Sequence, residues 1–217
     1  MPPSPLPTLS PVEARVLGVL AEKQRTVPDT YPLSLNALVA GCNQKTSRDP
    51  VMEVSEAEAQ QALDSLKGMN LVIESSGSRV PRYSHNTERV LQLPSPSVAV
   101  LAVLMLRGPQ TAGELRINCD RLHRFTDISA VEGFLRELAE RPAGALVVEL
   151  ARQPGSRENR WTHLLSGAPA PDQVAAPAAI RTDDTSELAD LAARVEALEA
   201  QVAELQERLA AAQTKRE

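Results

Sequence analysis

The strongest constraint on this chain is an order of structural signals that occurs twice within its first 167 residues. In the first copy, a capping box at Ser10–Glu13 predicts the start of one helix and Ser34 that of a second. Another capping box, Ser55–Glu58, predicts a third helix ending at Gly68, and two strand-like runs flank the turn residues Ser75–Ser78. Three helices followed by a hairpin form the winged-helix order, a variant of the helix-turn-helix.

The second copy repeats this order. An apolar run, Pro96–Arg107, predicts the first helix, a capping box at Thr111–Glu114 begins the next, and either Asp127 or Ser129 caps a third that runs to Glu140. The hairpin returns as two strand-like runs, Leu146–Leu150 and Arg160–Leu164.

Two further matches indicate a duplication. Arg82-Tyr-Ser-His85 in the first hairpin corresponds to Arg160-Trp-Thr-His163 in the second, and Cys42 and Cys119 fall at the ends of the two second helices. The predicted class is mainly α with small β-hairpins (α+β), built as two tandem winged-helix domains plus a coiled-coil helix. The predicted segments are a flexible terminus (1–8), two winged-helix domains (9–92 and 93–167), an Ala/Pro-rich linker (168–185) and the coiled-coil helix (186–213).

The last segment has apolar residues spaced alternately by three and four, which is a heptad pattern with Val or Leu at a and Leu at d. Such a seam favours two parallel helices, so we expect a homodimer; the alternative is a single amphipathic helix that folds back on the body. The predicted dimerisation residues are Leu188, Leu191, Val195, Leu198, Val202, Leu205 and Leu209.

Composition narrows the class of protein. The longest apolar run, Val98–Leu106, is about half of the ~20 residues that a membrane span needs, and the first residues lack a signal core, so we expect a cytoplasmic protein that does not enter a membrane.

The formal net charge of −5 is unevenly distributed along the chain. Residues 1–167 hold 18 Lys/Arg against 18 Asp/Glu, whereas residues 168–217 hold 5 Lys/Arg against 10 Asp/Glu. A neutral body argues against strong nucleic-acid binding but leaves room for a local basic patch.

Several sequence strings occur in a distinctive order: Tyr31–Val39, Cys42–Arg48 followed by Pro50–Met52, Leu106–Arg116, Arg121–Phe125 and Pro154–Glu158. Together they closely resemble the YceH-like family of bacterial proteins, whose members are functionally uncharacterised. The resemblance spans about Leu9–Gly167 and implies a tandem winged-helix fold and a bacterial origin, but no activity.

Two loops and the two hairpins hold the candidate contact residues. Hydrogen-bond donors in the loop after each second helix, and arginines on the wings, could bind phosphates; the alternative reading is that they close the turns or are merely solvated. These candidates are Asn43, Gln44, Lys45, Thr46, Ser47 and Arg48 in the first loop, Arg121, His123 and Arg124 in the second with Arg116 one helical turn upstream, and Arg79, Arg82, Arg157 and Arg160 on the wings.

Acidic residues on the predicted third helices argue against recognition of DNA bases by these helices. The first begins with Glu53, Glu56 and Glu58, whose carboxylates would repel phosphates. Two hypotheses therefore stand: a DNA-associated dimer with a regulatory role that contacts phosphates weakly and with low sequence specificity, or a protein-interaction module that uses the acidic third helices. The sequence contains no motif of a catalytic, metal or cofactor site, so we expect no enzyme and no cofactor.

Overall fold

The computed structural model describes residues 8–77, 80–152 and 158–169. The chain divides into two compact units, Met1–Ala175 and Ala176–Glu217, and all of the described residues lie in the first. The predicted linker and coiled-coil helix fall almost entirely outside the described residues. The described elements are α1 (Pro11–Thr26), a 3-10 turn (Pro28–Thr30), α2 (Leu35–Cys42), α3 (Glu56–Gly68), β1 (Val72–Ser75), β2 (Arg82–His85), α4 (Thr87–Leu91), α5 (Ser95–Arg107), α6 (Ala112–Asn118), α7 (Ile128–Ala139), β3 (Val147–Glu149) and β4 (Trp161–His163).

Side-chain caps begin five of these helices, as the sequence predicts. The residue before each helix accepts a hydrogen bond from the third backbone N–H of that helix, which satisfies a donor that has no partner within the helix. At α1, α3 and α6 the third residue is a glutamate that accepts from the cap's own N–H, completing the box. Asp127, rather than Ser129, caps α7: its Oδ1 accepts from the Ala130 N–H at 2.8 Å.

Two antiparallel hairpins complete a mainly helical α+β fold. Their strands are shorter than predicted, and in each a residue from an earlier loop adds an isolated bridge: Leu33 pairs with Tyr83, and Gln110 with Trp161. The short helix α4 was not predicted from the sequence. The hairpin registers are Val72↔His85 to Ser75↔Arg82, and Val147↔His163 to Glu149↔Trp161.

One hydrophobic core runs through both halves. The predicted domain boundary at residue 93 lies just before α5, and α5 packs mainly against α1. Every residue of α5 from Ser97 to Leu106 is buried, which is the pattern of a helix surrounded by protein. At the crossing, Gly18 allows α1 to approach Leu106 closely.

The two central helices also match in sequence. Val16–Leu20 reads VLGVL and Val100–Leu104 reads VLAVL, so α1 and α5 align residue for residue. This alignment makes Lys23 equivalent to Arg107 and Gln24 equivalent to Gly108.

The close approach of α1 and α2 provides a stability prediction. A Cβ added to Gly41 would lie 2.7 Å from Cγ1 of Val19, a fully buried side chain. We expect Gly41→Ala to lower the free energy of unfolding by about 1–3 kcal/mol, because the packed core must shift to admit it. The matched control is Gly133→Ala in α7, where an added Cβ meets no atom within 4 Å and should stabilise by about 0.5–1 kcal/mol. Urea unfolding of both variants measures the difference; equal effects would contradict the packing argument.

None of the helices in the described part of the chain is both long and apolar enough to cross a membrane.

Candidate functional site

The fold brings the two candidate loops to one surface depression, which we name the interloop groove. It has a volume of about 410 Å³ and lies between the end of α1, the loop after α2, the end of α5 and the loop after α6. Its polar lining residues are Glu22, Lys23, Thr26, Gln44, Lys45, Thr46, Ser47, Arg107, Asn118 and Arg121. The groove therefore joins loops that are more than 70 residues apart in sequence.

Four cations and one carboxylate line this groove. Lys45 and Arg121 are exposed, and neither forms an ion pair or a side-chain hydrogen bond among the described residues. Lys23 Nζ lies 3.1 Å from Oε2 of Glu22, and Arg107 donates to the Ser47 hydroxyl at 2.7 Å. Because Glu22 is already paired, the groove presents unbalanced positive charge to solvent.

Arg48 is the main correction to the predicted site. Its side chain is fully buried and donates to both carboxylate oxygens of Glu22, at 3.1 and 2.7 Å. It also donates to the carbonyls of Gly41 and Ser47 and to Oε1 of Gln44. The guanidinium therefore fastens the loop to α1 and the end of α2, and it has no donor left for a phosphate.

The buried ion pair with Arg48 also lowers the pKa of Glu22. Burial by itself would raise the pKa of Glu22, but hydrogen bonds and charge from Arg48, and then from Lys23, hold that pKa below its ordinary value. Glu22 is therefore ionised at neutral pH, and it serves as the counter-charge of Arg48.

The remaining residues of the first loop divide by exposure. Asn43 is structural, because its amide donates to the Val54 carbonyl at 2.8 Å and accepts from the Val54 N–H at 2.7 Å. Lys45, Thr46 and Ser47 are exposed, and Ser47 holds a left-handed backbone with φ of 61°. Lys45, Thr46 and Ser47 are therefore the predicted residues of this loop that expose hydrogen-bond donors to solvent.

In the second loop, only Arg121 of the predicted residues faces the groove. Arg124 is 87% exposed and pairs with Asp120, and Arg116 donates to the Thr126 carbonyl at 3.5 Å. His123 lies edge-on to Phe125, with ring centroids 4.6 Å apart.

Neither Arg82 nor Arg160 is free. Arg82 donates to the carbonyls of Thr30 and Pro32, and Arg160 donates to Glu114 at 3.2 Å. These contacts hold each hairpin against the body of its own half. The predicted Arg79 and Arg157 lie outside the described residues.

The exposed face of α3 is acidic, as predicted. Glu56 and Asp64 are exposed on it, and Glu53 is exposed just before it. Lys67, the basic residue of the last turn, is bonded to both Asp64 and Glu74. The groove and α3 therefore carry opposite charge on a body that is neutral as a whole.

Sequence reasoning missed five polar groove residues: Glu22, Lys23, Thr26, Arg107 and Asn118. The signal that could have found Lys23 and Arg107 is the alignment of VLGVL with VLAVL, which puts a cation at the same position of both central helices. Asn118 gave no comparable signal, because it reaches the groove only through the packing of α6.

Burial shifts the pKa values of both cysteines and of two histidines in the described part of the chain. Burial raises the pKa of Cys42 and of Cys119 to about 12, so both thiols are protonated at neutral pH and are poor nucleophiles. Burial lowers the pKa of His85 and of His163 to about 4, and the charge of Arg25 adds to the effect at His85. Within residues 8–77, 80–152 and 158–169, no cluster of three or more His, Cys, Asp or Glu could hold a metal ion.

Comparison with known proteins places the chain in a family. Residues 9–156 match the model of a family described as "Protein of unknown function, DUF480". The chain belongs to this family. It is 65% identical over 201 residues to a UPF0502 protein of Dechloromonas aromatica, covering 92% of this chain and 93% of the relative. It is 60% identical over 202 residues to a UPF0502 protein of Cupriavidus necator (91% and 83%), and 66% identical over 165 residues to one of Burkholderia ambifaria (76% and 70%). Membership of this DUF480 family confirms the resemblance to the YceH-like family.

Proposed function

We propose that this DUF480 protein is a non-enzymatic, tandem winged-helix protein that associates with duplex DNA by holding backbone phosphates in the interloop groove. The observation that carries the proposal is the convergence of two exposed cations, Lys45 and Arg121, from separate loops on one groove. Lys and Arg neutralise phosphates without reading bases, so binding is weak, salt-sensitive and low in sequence specificity.

Two features of the fold support the winged-helix assignment. Each half has three helices followed by a two-stranded hairpin. In each half, the segment just before the second helix also forms a β-bridge to the hairpin, through Leu33 in the first half and Gln110 in the second. A small three-part sheet of this kind beside a helix-turn-helix is characteristic of the winged variant.

The acidic face of α3 determines how a duplex would lie. In a helix-turn-helix the third helix enters the major groove, but Glu53, Glu56 and Asp64 would meet phosphates there. No residue of α3 lines the interloop groove, so phosphates held there do not contact this helix. The predicted coiled-coil dimer through residues 186–213, which stays a prediction, would bring two such grooves to one duplex and raise its apparent affinity.

A charge-deletion experiment tests the groove. Anisotropy of a labelled random-sequence duplex, about 20 base pairs long, is measured at about 50 and 200 mM salt. For Lys45→Ala/Arg121→Ala we expect about tenfold weaker binding at the lower salt, and a salt slope smaller by about one to two, because two phosphate contacts are lost.

The matched control removes two exposed arginines elsewhere. Arg89→Ala/Arg136→Ala changes net charge equally, and neither residue lines the groove. It should bind nearly as the unaltered protein does. Equal losses in both variants would mean that overall charge, not the groove, holds the duplex.

The alternative function is a protein-interaction module, and the acidic face of α3 favours it. Such a face would meet a basic surface of a partner protein. If the unaltered protein fails to bind duplex DNA even at the lower salt, the DNA proposal is wrong and this alternative replaces it.

A further inference from the structure

A second depression lies apart from the groove, and we name it the His163 pocket. It has a volume of about 380 Å³ and is lined by the start of α1, the loop before α3, the end of α5 and strand β4. Ala14, Met52, Leu104 and Met105 make up much of its wall. A volume in the low hundreds of Å³ with mostly apolar walls is typical of small-molecule sites.

Arg15 gives this pocket a buried charge that no carboxylate contacts directly. The residue is only 1% exposed, and its two terminal nitrogens donate to the carbonyls of Cys42 (3.1 Å) and Pro50 (2.6 Å). No protein group accepts from its Nε, and among the described residues no carboxylate forms an ion pair with it; the exposed Asp49 acts on it only through its charge. Arg48, the other buried arginine, has Glu22 as its bonded counter-charge. A buried cation without a bonded carboxylate is costly, and an anion beside it offsets that cost.

His163 is the second polar group of the pocket, and its Nδ1 is buried with no protein partner. The equivalent His85 is fully bonded: its Nε2 lies 2.8 Å from Oε1 of Gln24, and its Nδ1 accepts from the Thr87 N–H. The position equivalent to Gln24 is Gly108, which has no side chain and lines the pocket. The second half thus has no side chain where the first half has Gln24. It also leaves without a partner the Nδ1 of His163, whose counterpart in His85 accepts from the Thr87 N–H.

We infer that the His163 pocket binds a small carboxylate with an apolar body, such as an aromatic or short aliphatic acid. The carboxylate accepts from Arg15 Nε–H and from the Nδ1–H tautomer of His163, and it supplies the missing counter-charge. The apolar body packs against Met52, Leu104 and Met105. Asp49 at the same pocket is exposed, so solvent screens its repulsion of the ligand. This inference does not depend on DNA binding by the groove.

The test uses the full chain with benzoate as probe and benzyl alcohol as its uncharged analogue. Isothermal titration calorimetry should give saturable binding of benzoate, at least about tenfold tighter than that of benzyl alcohol, because the charge-assisted hydrogen bonds require a carboxylate. Arg15→Met should abolish the difference between the two compounds. Because Arg15 also holds two carbonyls, circular dichroism must show that this variant is folded.

A second variant tests ligand binding in the pocket while leaving Arg15 and its hydrogen bonds unchanged. Met52→Trp extends a half-buried wall residue into the pocket and should weaken benzoate binding at least about tenfold. Met69→Trp is the matched control, because Met69 is also half-buried in the core but does not line the pocket. No saturable binding of benzoate, equal binding of benzyl alcohol, or benzoate binding unchanged in Met52→Trp would overturn the inference.

Discussion

Arg48→Met should lower the free energy of unfolding by about 3–5 kcal/mol, a large share of the stability of a domain of this size. The loss arises because the substitution removes the hydrogen bonds of two buried acceptors. Glu22 would lose its bidentate partner while its side chain stays 14% exposed, and the Gly41 carbonyl at the end of α2 would lose two donors. Lys23, whose Nζ lies 3.1 Å from Glu22 Oε2, would remain as its only cation, and a buried carboxylate that has lost its bidentate partner is more costly than the absence of the pair as a whole. The measurement is the urea midpoint at pH 7, monitored by circular dichroism.

Two controls isolate this effect. Arg124→Met removes an arginine that is 87% exposed and paired only at the surface, so it should change stability by less than about 0.5 kcal/mol. Glu22→Gln/Arg48→Met removes both charges and should be more stable than Arg48→Met alone, since no buried carboxylate is then left without its arginine; Lys23 loses its ion pair but keeps the Gln44 side chain as a hydrogen-bond acceptor. A loss below about 1 kcal/mol for Arg48→Met would show that the buried ion pair does not fasten the loop.

Stability should also fall steeply between about pH 6.5 and pH 5, by about 2 kcal/mol for each of His85 and His163. Both have a folded-state pKa of about 4, below the ordinary value of 6.5. The folded protein therefore keeps both rings neutral while the unfolded chain takes up protons, so stability is present above about pH 6.5 and is lost as the pH falls towards 4. At His85 burial is the main cause, and the Thr87 N–H pointing at Nδ1 opposes protonation further.

Urea midpoints at pH 7, 6 and 5 measure this slope. His85→Gln/His163→Gln should flatten it, because neither position can then bind a proton. Gln24→Met is the matched control: it removes the hydrogen-bond partner of His85 but not the titrating ring, so it should lower stability at pH 7 and keep the slope. An unchanged slope in the double glutamine variant would assign the acid sensitivity to other groups, such as Glu22 or Glu114, whose lowered pKa values act at still lower pH.

Local chemistry explains which parts of the fold could be predicted from sequence. The caps at Ser10, Ser55 and Thr111 were predictable because a capping box needs only residues three apart. The helix α4 was missed because it is five residues long and its first residue has no side-chain cap. The class of the fold followed from the order of these signals, which is repeated in the second half.

The site was less predictable, because it depends on contacts between distant residues. Arg48 looks like a phosphate ligand in its loop, but its role is decided by Glu22, 26 residues earlier. Lys23 and Arg107 appear in no local motif, and they face one groove because α1 packs against α5. Lys45 and Arg121 were predicted as contact residues, and both are exposed, as is usual for residues in loops; their contact with a partner stays a prediction.

The packing of α1 on α5 has a consequence for synthesis on the ribosome. Gly18 meets Leu106, so part of the apolar face of α1 stays uncovered until roughly 90 further residues have been added. At about 5–20 residues per second, this interval lasts about 4–18 seconds. During this interval the amino-terminal half of the nascent chain exposes the apolar face of α1. Chaperones that bind apolar segments can therefore bind this face before α5 is synthesised.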